Sequence, residues 1–259
     1  MNAAHNTIHC RTIDNIMIVT IARSQVRNAL TPDCHFALAE IFDRFAADDS
    51  LHVAIITGEG DKAFCSGSDL NFIDDLKPDD MPVSGFGGLT TRFDLYKPVI
   101  AAINGDAIGG GLEIVMACDL AIAVPHARFC LPEPKVGLAA SGGLHRLART
   151  LALKHAMKLA LTAEMIDAET AVTMGLINQI YSTDDILGDA IEMACSIGEL
   201  APLAIKASKQ MILEGLSARD IQSAFAGRYS AFEAMLASDD AKEGPRAFLE
   251  KRPPKWSGK

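Results

Sequence analysis

The sequence has little positive charge and no long apolar run. Its 24 lysines and arginines are outnumbered by 33 aspartates and glutamates, which leaves a formal net charge of −9. Nucleic acids and anionic membranes recruit basic surfaces, so neither is expected as the main partner. No apolar run approaches the ~20 residues that span a bilayer, and the amino terminus lacks the pattern of a secretory signal. We therefore predict a cytoplasmic protein, in which a few local donors could still bind an anionic small molecule.

Several signatures of catalytic and metal-binding proteins are also missing. The six cysteines are scattered and none forms a C-x-x-C pair, which favours reduced thiols over a disulfide framework or a zinc site. No G-x-S-x-G elbow of a serine hydrolase occurs. Neither G-x-G-x-x-G nor G-x-x-x-x-G-K-[ST] is present to bind a nucleotide phosphate. The spacing of histidine, cysteine and acidic residues predicts no metal cluster.

The patterns that are present favour an α/β fold. Of the 259 residues, 49% are hydrophobic and 22% charged, an ordinary globular composition with enough apolar side chains for a large core. Residues 7–13 and 16–22 alternate apolar and polar side chains around Asp14-Asn15, which predicts a hairpin. Thr31-Pro32-Asp33 predicts the start of a helix. Short, branched apolar runs predict buried and largely parallel strands at 53–56, 99–103 and 120–124.

The carboxy-terminal part of the chain shows only helical periodicity. From about residue 183 the pattern predicts helices over 183–199, 202–215, 218–236 and 239–250. We expect an α/β core over residues 1–196 followed by a helical region over 197–259, and not two independent domains. The segment 77–97 is rich in proline, glycine, aspartate and threonine, which predicts a mobile loop over a pocket.

Residues 108–118 read IGGGLEIVMAC, so three glycines precede an apolar run that contains one glutamate. Glycine costs up to ~1 kcal/mol relative to alanine in a helix, and a carboxylate resists burial without a partner or a task. If a helix begins within Gly109–Gly111, its first amides have no partner in the helix, and Glu113 leans back over Gly110. One turn would then present an amide donor and a carboxylate to the same volume.

A second turn, in KAFCSGSDL at 62–70, has a similar pattern. It follows a strand and puts the Ser68 amide at the start of a helical pattern. That pattern runs through Leu70, Ile73 and Leu76. Two strand-to-helix turns that each offer a free amide can form an oxyanion hole. The simpler interpretation is that Glu113 only complements a helix dipole and that Ser68 and Asp69 only cap a helix.

A second acid, Glu133, lies between two prolines in the apolar stretch FCLPEPKVGL. Two glutamates in apolar surroundings can differ in pKa, so that one acts as a base and the other as an acid. This division suits the addition of water to a double bond, although Glu133 could instead be a surface turn residue. For the nearby Cys65 and His145, a packed thiol and a residue at a helix start are the simpler interpretations.

Three long stretches resemble the enoyl-CoA hydratase/isomerase (crotonase) superfamily: DKAFCSGSDL, PVIAAINGDAIGGGLEIVMACDLAIA and ARFCLPEPKVGL. The likeness continues through LTAEMIDAETAVTMGLINQI and DDAKEGPRAFLEKR, and it covers nearly the whole chain in order. The resemblance implies an α/β spiral of ββα units with a carboxy-terminal helical region used for trimerisation. It further implies a homotrimer or homohexamer that binds an acyl-CoA thioester and needs no metal or other cofactor.

The resemblance also implies the roles of individual residues. The thioester carbonyl would lie between the amides of Ser68 and Gly110, and the two acids of family hydratases fall on Glu113 and Glu133. The resemblance implies that Glu133 would be the main proton donor and Glu113 the base that orients water. The other implied substrate-binding positions are Val26, Arg27, Ala63, Asp69, Leu70, Phe248 and Lys251.

Three of these further positions are implied to contact the coenzyme. Arg27 lies in RSQVRNAL, which matches the segment around the adenine end, and would contact a phosphate. Phe248 and Lys251 match tail positions that contact the coenzyme from a neighbouring subunit. Solvated charge and simple packing are the alternative interpretations of these three residues.

The sequence departs from the family pattern at two places. Ser68 stands where the family often has alanine or glycine, a change that a main-chain donor tolerates. The stretch GLAASGGLHRL, at 137–147, is one residue shorter than the proline-containing loop usual in hydratases. In the family that loop shapes the acyl pocket, so the sequence does not define which acyl group the protein binds.

The two acids together predict an enoyl-CoA hydratase, which adds water reversibly across a 2,3-unsaturated acyl-CoA to give a 3-hydroxyacyl-CoA. Two alternatives use the same scaffold: hydration of crotonobetainyl-CoA, and isomerisation of an enoyl-CoA double bond. A third is a non-catalytic subunit that binds acyl-CoA.

Overall fold

The computed structural model of the protein describes residues 7–75, 81–182 and 185–259. Within these ranges ten strands form two sheets, and none of the helices is long and apolar enough to cross a membrane. The strands are β1 (Ile8–Ile13), β2 (Ile16–Ile21), β3 (Val53–Gly58), β4 (Ala63–Cys65), β5 (Val99–Ile103), β6 (Asp106–Ile108), β7 (Leu120–Ala123), β8 (Arg128–Cys130), β9 (Ile166–Asp167) and β10 (Gln179–Ile180).

Helices connect and cover these strands. They are α1 (Pro32–Ala47), α2 (Gly110–Ala117), α3 (Leu144–Thr150), α4 (Leu153–Thr162), α5 (Ala168–Met174), α6 (Ile186–Gly198), α7 (Pro202–Gly215), α8 (Ile221–Ala226), α9 (Ser230–Ala237) and α10 (Asp240–Leu249). Short 3-10 helices include Ser24–Val26, Leu70–Asp75, Phe86–Gly88 and Glu133–Val136. As predicted, α1 begins with a proline in its first turn, followed by Asp33.

The larger sheet has the strand order β1-β2-β3-β5-β7-β10. β1 and β2 form the predicted antiparallel hairpin, and β2, β3, β5, β7 and β10 are parallel to their neighbours in the rest of the sheet. β3 and β5 are buried along their whole length, and α6 packs against both. Burial on both faces explains why their branched apolar side chains do not alternate with polar ones.

The smaller sheet positions the candidate site. Its order is β4-β6-β8-β9, in which β4, β6 and β8 are parallel neighbours. The carboxyl ends of parallel neighbours lie at one edge of a sheet, so the segments that follow these strands are brought together. Those segments are the turn at Ser68, the turn at Gly109–Gly110 and the 3-10 helix that begins at Glu133. Runs of two or three residues show no periodicity, which is why the sequence did not predict this sheet.

Two helical predictions were wrong in part. The predicted helix over 218–236 is interrupted, with α8 ending at Ala226 and α9 beginning at Ser230. The pattern after Ser68 is a 3-10 helix over Leu70–Asp75, and Leu76 lies outside the described residues. The predicted boundary after residue 196 falls in the last turn of α6.

The segment 77–97, predicted as a mobile loop, is described from residue 81 onward, and residues 77–80 lie outside the described part. Gly85–Thr90 is buried, and its 3-10 helix packs against α1. A Cβ placed on Gly88 would lie 2.6 Å from the backbone nitrogen of Ala39. This part of the segment is therefore a packed wall beside α2, and not an exposed loop.

Candidate active site

The first element of the site is the turn into α2. Gly109 precedes the helix with φ 55° and ψ −124°, a conformation that disfavours any residue with a Cβ. Its amide donates to the carbonyl of Cys130 over 2.8 Å, which ties the turn to the end of β8. The helix then begins at Gly110, as the three glycines predicted.

The second element is the turn at Gly67-Ser68, which lies directly against the first. Gly67 has φ 91°, and a Cβ placed on it would lie 3.3 Å from the amide nitrogen of Gly110 and 3.2 Å from the carbonyl of Ile108. Within the described residues, neither the Ser68 amide nor the Gly110 amide donates a hydrogen bond to a protein acceptor. Two adjacent turns thus each offer a free amide, as an oxyanion hole requires.

Glu113 is the first acid of the site, and its side chain is only 6% exposed. It lies against the loop before α3: a Cβ on Gly143 would be 2.8 Å from its Cγ, and one on Gly142 would be 3.3 Å from its Oε2. Burial, together with the charge of Glu133, raises the pKa of Glu113 to about 7, and the amides of Gly142 and Gly143 oppose this rise.

Glu133 is the second acid, and its carboxyl lies against Gly109 in the turn into α2. A Cβ on Gly109 would lie 2.8 Å from Glu133 Oε1. Burial raises the pKa of Glu133, and its Oε2 is buried without a hydrogen-bond partner in the described part of the chain. Glu113 Oε1 is in the same situation. Two coupled carboxyl groups therefore flank the turn that carries the Gly110 amide.

The chain around Arg27 runs alongside the Ser68 turn. The amide of Leu30 donates to the Gly67 carbonyl over 2.8 Å, and that of Ser66 donates to the Arg27 carbonyl over 3.1 Å. Val26 and Arg27 are both exposed here, and Arg27 Nη1 is 4.0 Å from Asp106 Oδ2. The structure thus brings the predicted coenzyme segment to the edge of the site.

Asp69 has a structural task at this turn. Its carboxylate accepts hydrogen bonds from Arg23 Nη2 over 3.1 Å and from Asn71 Nδ2 over 2.9 Å. Burial acts to raise the pKa of Asp69, but the hydrogen bonds from Asn71 and Arg23 outweigh it and lower the pKa. Ala63 is buried in β4 and Leu70 is exposed beside the turn.

Phe248 lies in the last turn of α10, and Lys251 follows the end of that helix. Phe248 is 84% exposed, and the Lys251 amide donates to the Phe248 carbonyl over 3.2 Å. Among the described hydrogen bonds and ion pairs, none joins either residue to the two turns. Their predicted contact with the coenzyme from a neighbouring subunit stays a prediction.

Cys65 and His145, interpreted from sequence as a packed thiol and a residue at a helix start, lie in such positions in the structure. Cys65 is fully buried, and burial raises the pKa of its thiol to about 12, so it is no nucleophile. His145 is exposed in the first turn of α3. In residues 7–75, 81–182 and 185–259, no group of three or more histidine, cysteine or acidic side chains is arranged to hold a metal ion.

Comparison with known proteins identifies the family. The family model described as enoyl-CoA hydratase/isomerase matches residues 11–259. The chain belongs to this family. It is 38% identical to the carnitinyl-CoA dehydratase of Proteus mirabilis (strain HI4320), over 98% of this chain and 99% of that protein.

Solved structures agree with the assignment to the enoyl-CoA hydratase/isomerase family. The enoyl-CoA hydratase of Mycobacterium tuberculosis H37Rv superimposes with a TM-score of 0.91 at 37% identity, covering 98% of this chain and 99% of that one. The enoyl-CoA hydratase of Bacillus anthracis gives 0.90 at 29% identity, covering 98% of this chain and 100% of that one. The crotonase-like α/β fold expected from the sequence is thereby confirmed.

Some residues of this family member's site were missed by the sequence analysis. Phe86 covers Gly110, because a Cβ on that glycine would lie 2.3 Å from the ring. Thr90 lies beside Gly142 and Glu113. The segment 77–97, predicted to lie over a pocket, contains both residues, but no sequence signal singled out Phe86 or Thr90 within it.

Proposed function

We propose that the protein is an enoyl-CoA hydratase, a hydro-lyase that adds water reversibly and syn across the double bond of a 2,3-unsaturated acyl-CoA. The observation that carries this proposal is the meeting of a buried acid, Glu113, and a half-buried one, Glu133, at the paired turns of Ser68 and Gly110. Hydration needs a base for the water, an acid for the α-carbon and donors for the enolate oxygen, and these groups supply all three.

The free amides of Ser68 and Gly110 would bind the thioester oxygen. As water adds to the β-carbon, negative charge develops on this oxygen, and two fixed donors stabilise it more than they stabilise the ground state. The start of α2 adds the positive end of a helix dipole at the same point. No metal or redox group is needed, because neither an electron transfer nor a Lewis acid is part of this step.

The geometry supports a division of labour between the acids. The α-carbon is one bond from the carbonyl held at Gly110, and Glu133 Oε1 lies beside Gly109. Glu133 is therefore the better donor to the α-carbon. Glu113, held against Gly142 and Gly143, would orient the water at the β-carbon and take its proton. Burial raises the pKa of both carboxyls, that of Glu113 to about 7, so the protonation of the pair changes near neutral pH.

The test is turnover of crotonyl-CoA and of longer or branched enoyl-CoAs, followed as loss of the absorbance of the conjugated thioester. Glu113→Gln and Glu133→Gln should each lower kcat by roughly 10²- to 10⁴-fold, the usual worth of general acid–base catalysis. The exposed Glu40→Gln is the matched control and should leave kcat unchanged. Equal, slow rates for wild type and Glu133→Gln on every enoyl-CoA would contradict the proposal.

A second candidate is dehydration of carnitinyl-CoA to crotonobetainyl-CoA, which the name of the Proteus mirabilis relative favours. The same groups would act, and only the acyl group differs. Comparing kcat/KM for crotonobetainyl-CoA with that for crotonyl-CoA separates the two.

A reaction in heavy-oxygen water separates both hydrations from isomerisation, because an isomerised product incorporates none of the heavy oxygen. A non-catalytic binding subunit would bind these thioesters without turnover and would be indifferent to Glu113→Gln.

We further propose that Val26, Arg27, Ala63, Asp69 and Leu70 line the path of the coenzyme, since they belong to the two segments, 23–30 and 62–70, that backbone hydrogen bonds join at the Ser68 turn. Exposed apolar side chains on α7–α10 support assembly into a homotrimer or homohexamer, in which Phe248 and Lys251 reach a neighbour's coenzyme. Six free cysteines support a reducing, cytoplasmic location.

A further inference from the structure

Thr90 is a buried hydroxyl that the proposed reaction has not yet used. The residue is 3% exposed and follows the 3-10 helix Phe86–Gly88. Its backbone is fixed at both ends: the amide donates to the Phe86 carbonyl over 3.3 Å, and the carbonyl accepts from Arg146 Nε over 3.2 Å. The side chain is therefore held in place by bonds that leave its hydroxyl uncommitted.

The Thr90 hydroxyl borders the volume beside Glu113. A single point, the Cβ position of Gly142, lies 3.1 Å from Thr90 Oγ and 3.3 Å from Glu113 Oε2. The hydroxyl and the carboxylate therefore approach the Gly142 loop together. In the described part of the chain, Thr90 Oγ and Glu113 Oε1 are both buried without a hydrogen-bond partner. Thr90 Oγ lies against the Cβ position of Gly142, and Glu113 Oε1 lies 3.3 Å from that of Gly143. Buried polar atoms are nearly always paired, so two such oxygens along the same Gly142–Gly143 loop point to a polar ligand atom as their partner.

We propose that Thr90 is a further catalytic residue, whose hydroxyl hydrogen-bonds the oxygen that is added to or removed from the β-carbon. This inference rests on the proposed function, because it is that reaction which puts a water or a 3-hydroxyl group beside Glu113. A hydroxyl suits the position since it both donates and accepts. It also adds no third charge to two carboxyl groups that already repel each other.

The proposal separates ligands that have an oxygen at C3 from ligands that do not. The probes are 3-hydroxybutyryl-CoA and butyryl-CoA, which differ only in that hydroxyl group, and their dissociation constants are measured by calorimetry. Thr90→Val keeps the shape of the side chain and removes its hydroxyl, and Thr90→Ser keeps the hydroxyl. Thr91→Val is the matched control, because the exposed Thr91 hydroxyl donates to the Val83 carbonyl, in a loop outside the proposed catalytic groups.

Thr90→Val should raise the dissociation constant of 3-hydroxybutyryl-CoA about tenfold, equivalent to about 1.4 kcal/mol, and leave that of butyryl-CoA unchanged. Thr90→Ser and Thr91→Val should bind both ligands as wild type does. Turnover of crotonyl-CoA by Thr90→Val should fall in kcat with little change in KM. Unchanged butyryl-CoA binding also verifies that the variant is folded.

Three outcomes would overturn the inference. If Thr90→Val binds both ligands as wild type does, the hydroxyl does not contact the C3 oxygen. If Thr90→Val loses affinity for both ligands equally, Thr90 acts only through packing. Thr90→Ser that behaves like Thr90→Val shows that the methyl group matters and not the hydroxyl. Failure of the proposed function looks different, because wild type itself would then hydrate no enoyl-CoA.

Discussion

Two carboxyl groups, those of the buried Glu113 and the half-buried Glu133, lie at the turn into α2. Each is desolvated, and the charge of Glu133 adds to the effect of burial on Glu113. An ionised pair therefore costs the folded protein free energy that the unfolded chain does not lose. A variant that removes one of the two charges should therefore have a higher free energy of unfolding at a pH where both carboxyls are ionised.

Glu113→Gln should stabilise the protein at high pH and not at low pH. The pKa of Glu113 is raised from 4.5 to about 7, so the folded state binds more protons than the unfolded state in this range. The stability contributed by this group is present below pH 4.5 and is lost as the pH rises through 7. The glutamine variant has no such loss, so its advantage in the free energy of unfolding at pH 8 is on the order of 3 kcal/mol.

Urea unfolding at pH 5 and pH 8 measures this advantage. The exposed Glu40→Gln is the control for a lost surface charge, and its difference from wild type should be the same at both pH values. Parallel pH profiles for Glu113→Gln and wild type would mean that the carboxyl is not desolvated in the folded state.

The sequence could predict these two acids because each stands in an apolar stretch, where a carboxylate is unexpected. It could not predict Thr90 or Phe86. A threonine or a phenylalanine in an irregular segment is unremarkable until the tertiary structure puts it next to Gly142 or Gly110. A charged residue in an apolar stretch can thus be recognised from the sequence, whereas a residue that joins the site only through tertiary contacts cannot.

At the scale of elements, the site depends on how closely α2 approaches β4. The two turns touch only because Gly111 has no side chain: a Cβ there would lie 2.0 Å from the carbonyl oxygen of Cys65. Cys65 ends β4 and Gly111 is the second residue of α2. Any group added between them would separate the Ser68 amide from the Gly110 amide.

Gly111→Ala should therefore destabilise the protein by roughly 3 kcal/mol, at the upper end of the cost of overpacking. It should also lower kcat at least 10²-fold, because the loss of one oxyanion donor has this effect. Thermal unfolding and hydration of crotonyl-CoA measure the two effects.

Gly175→Ala is the matched control. Gly175 follows the last residue of α5, outside the proposed site, and a Cβ there meets nothing within 4 Å, although φ is 80°. It should cost only about 1–2 kcal/mol of backbone strain and leave kcat near wild type. If the two alanine variants were equally active, close contact between α2 and β4 would not be what aligns the amides.

Element boundaries were predicted well where local signals act and poorly where tertiary contacts decide. The proline and aspartate at the start of α1 marked its beginning. The break between α8 and α9 was marked in the sequence only by Gly227, the residue that follows α8. Buried Gln210, on α7, accepts from the Ala231 amide over 2.7 Å, and the Tyr229 hydroxyl donates to the Ala224 carbonyl over 2.6 Å. These bonds replace the helical ones that continuous periodicity would have required.

At the scale of the whole molecule, the helices after α6 expose an unusual amount of apolar surface. Large side chains at least 60% exposed there are Ile212, Leu216, Ile221, Phe225, Leu236, Phe248 and Leu249. Large exposed apolar side chains in this number are typical of an interface. The sequence predicted the helices and, through the family resemblance, their use in assembly. It could not say which side chains the single chain leaves uncovered.

Phe225→Glu should convert the assembly to single chains, because it puts a charge where an 86% exposed ring is available for burial between subunits. Sedimentation equilibrium should give three or six times the 27.6 kDa chain mass for wild type and the chain mass for the variant. Val83→Glu, at a residue 99% exposed outside these helices, is the control and should sediment like wild type. If Phe248 and Lys251 contact the coenzyme of a neighbouring subunit, dissociation should also weaken butyryl-CoA binding. A wild-type protein that sediments as a single chain would contradict the assembly, and undiminished binding by a dissociated variant would confine the whole coenzyme site to one chain.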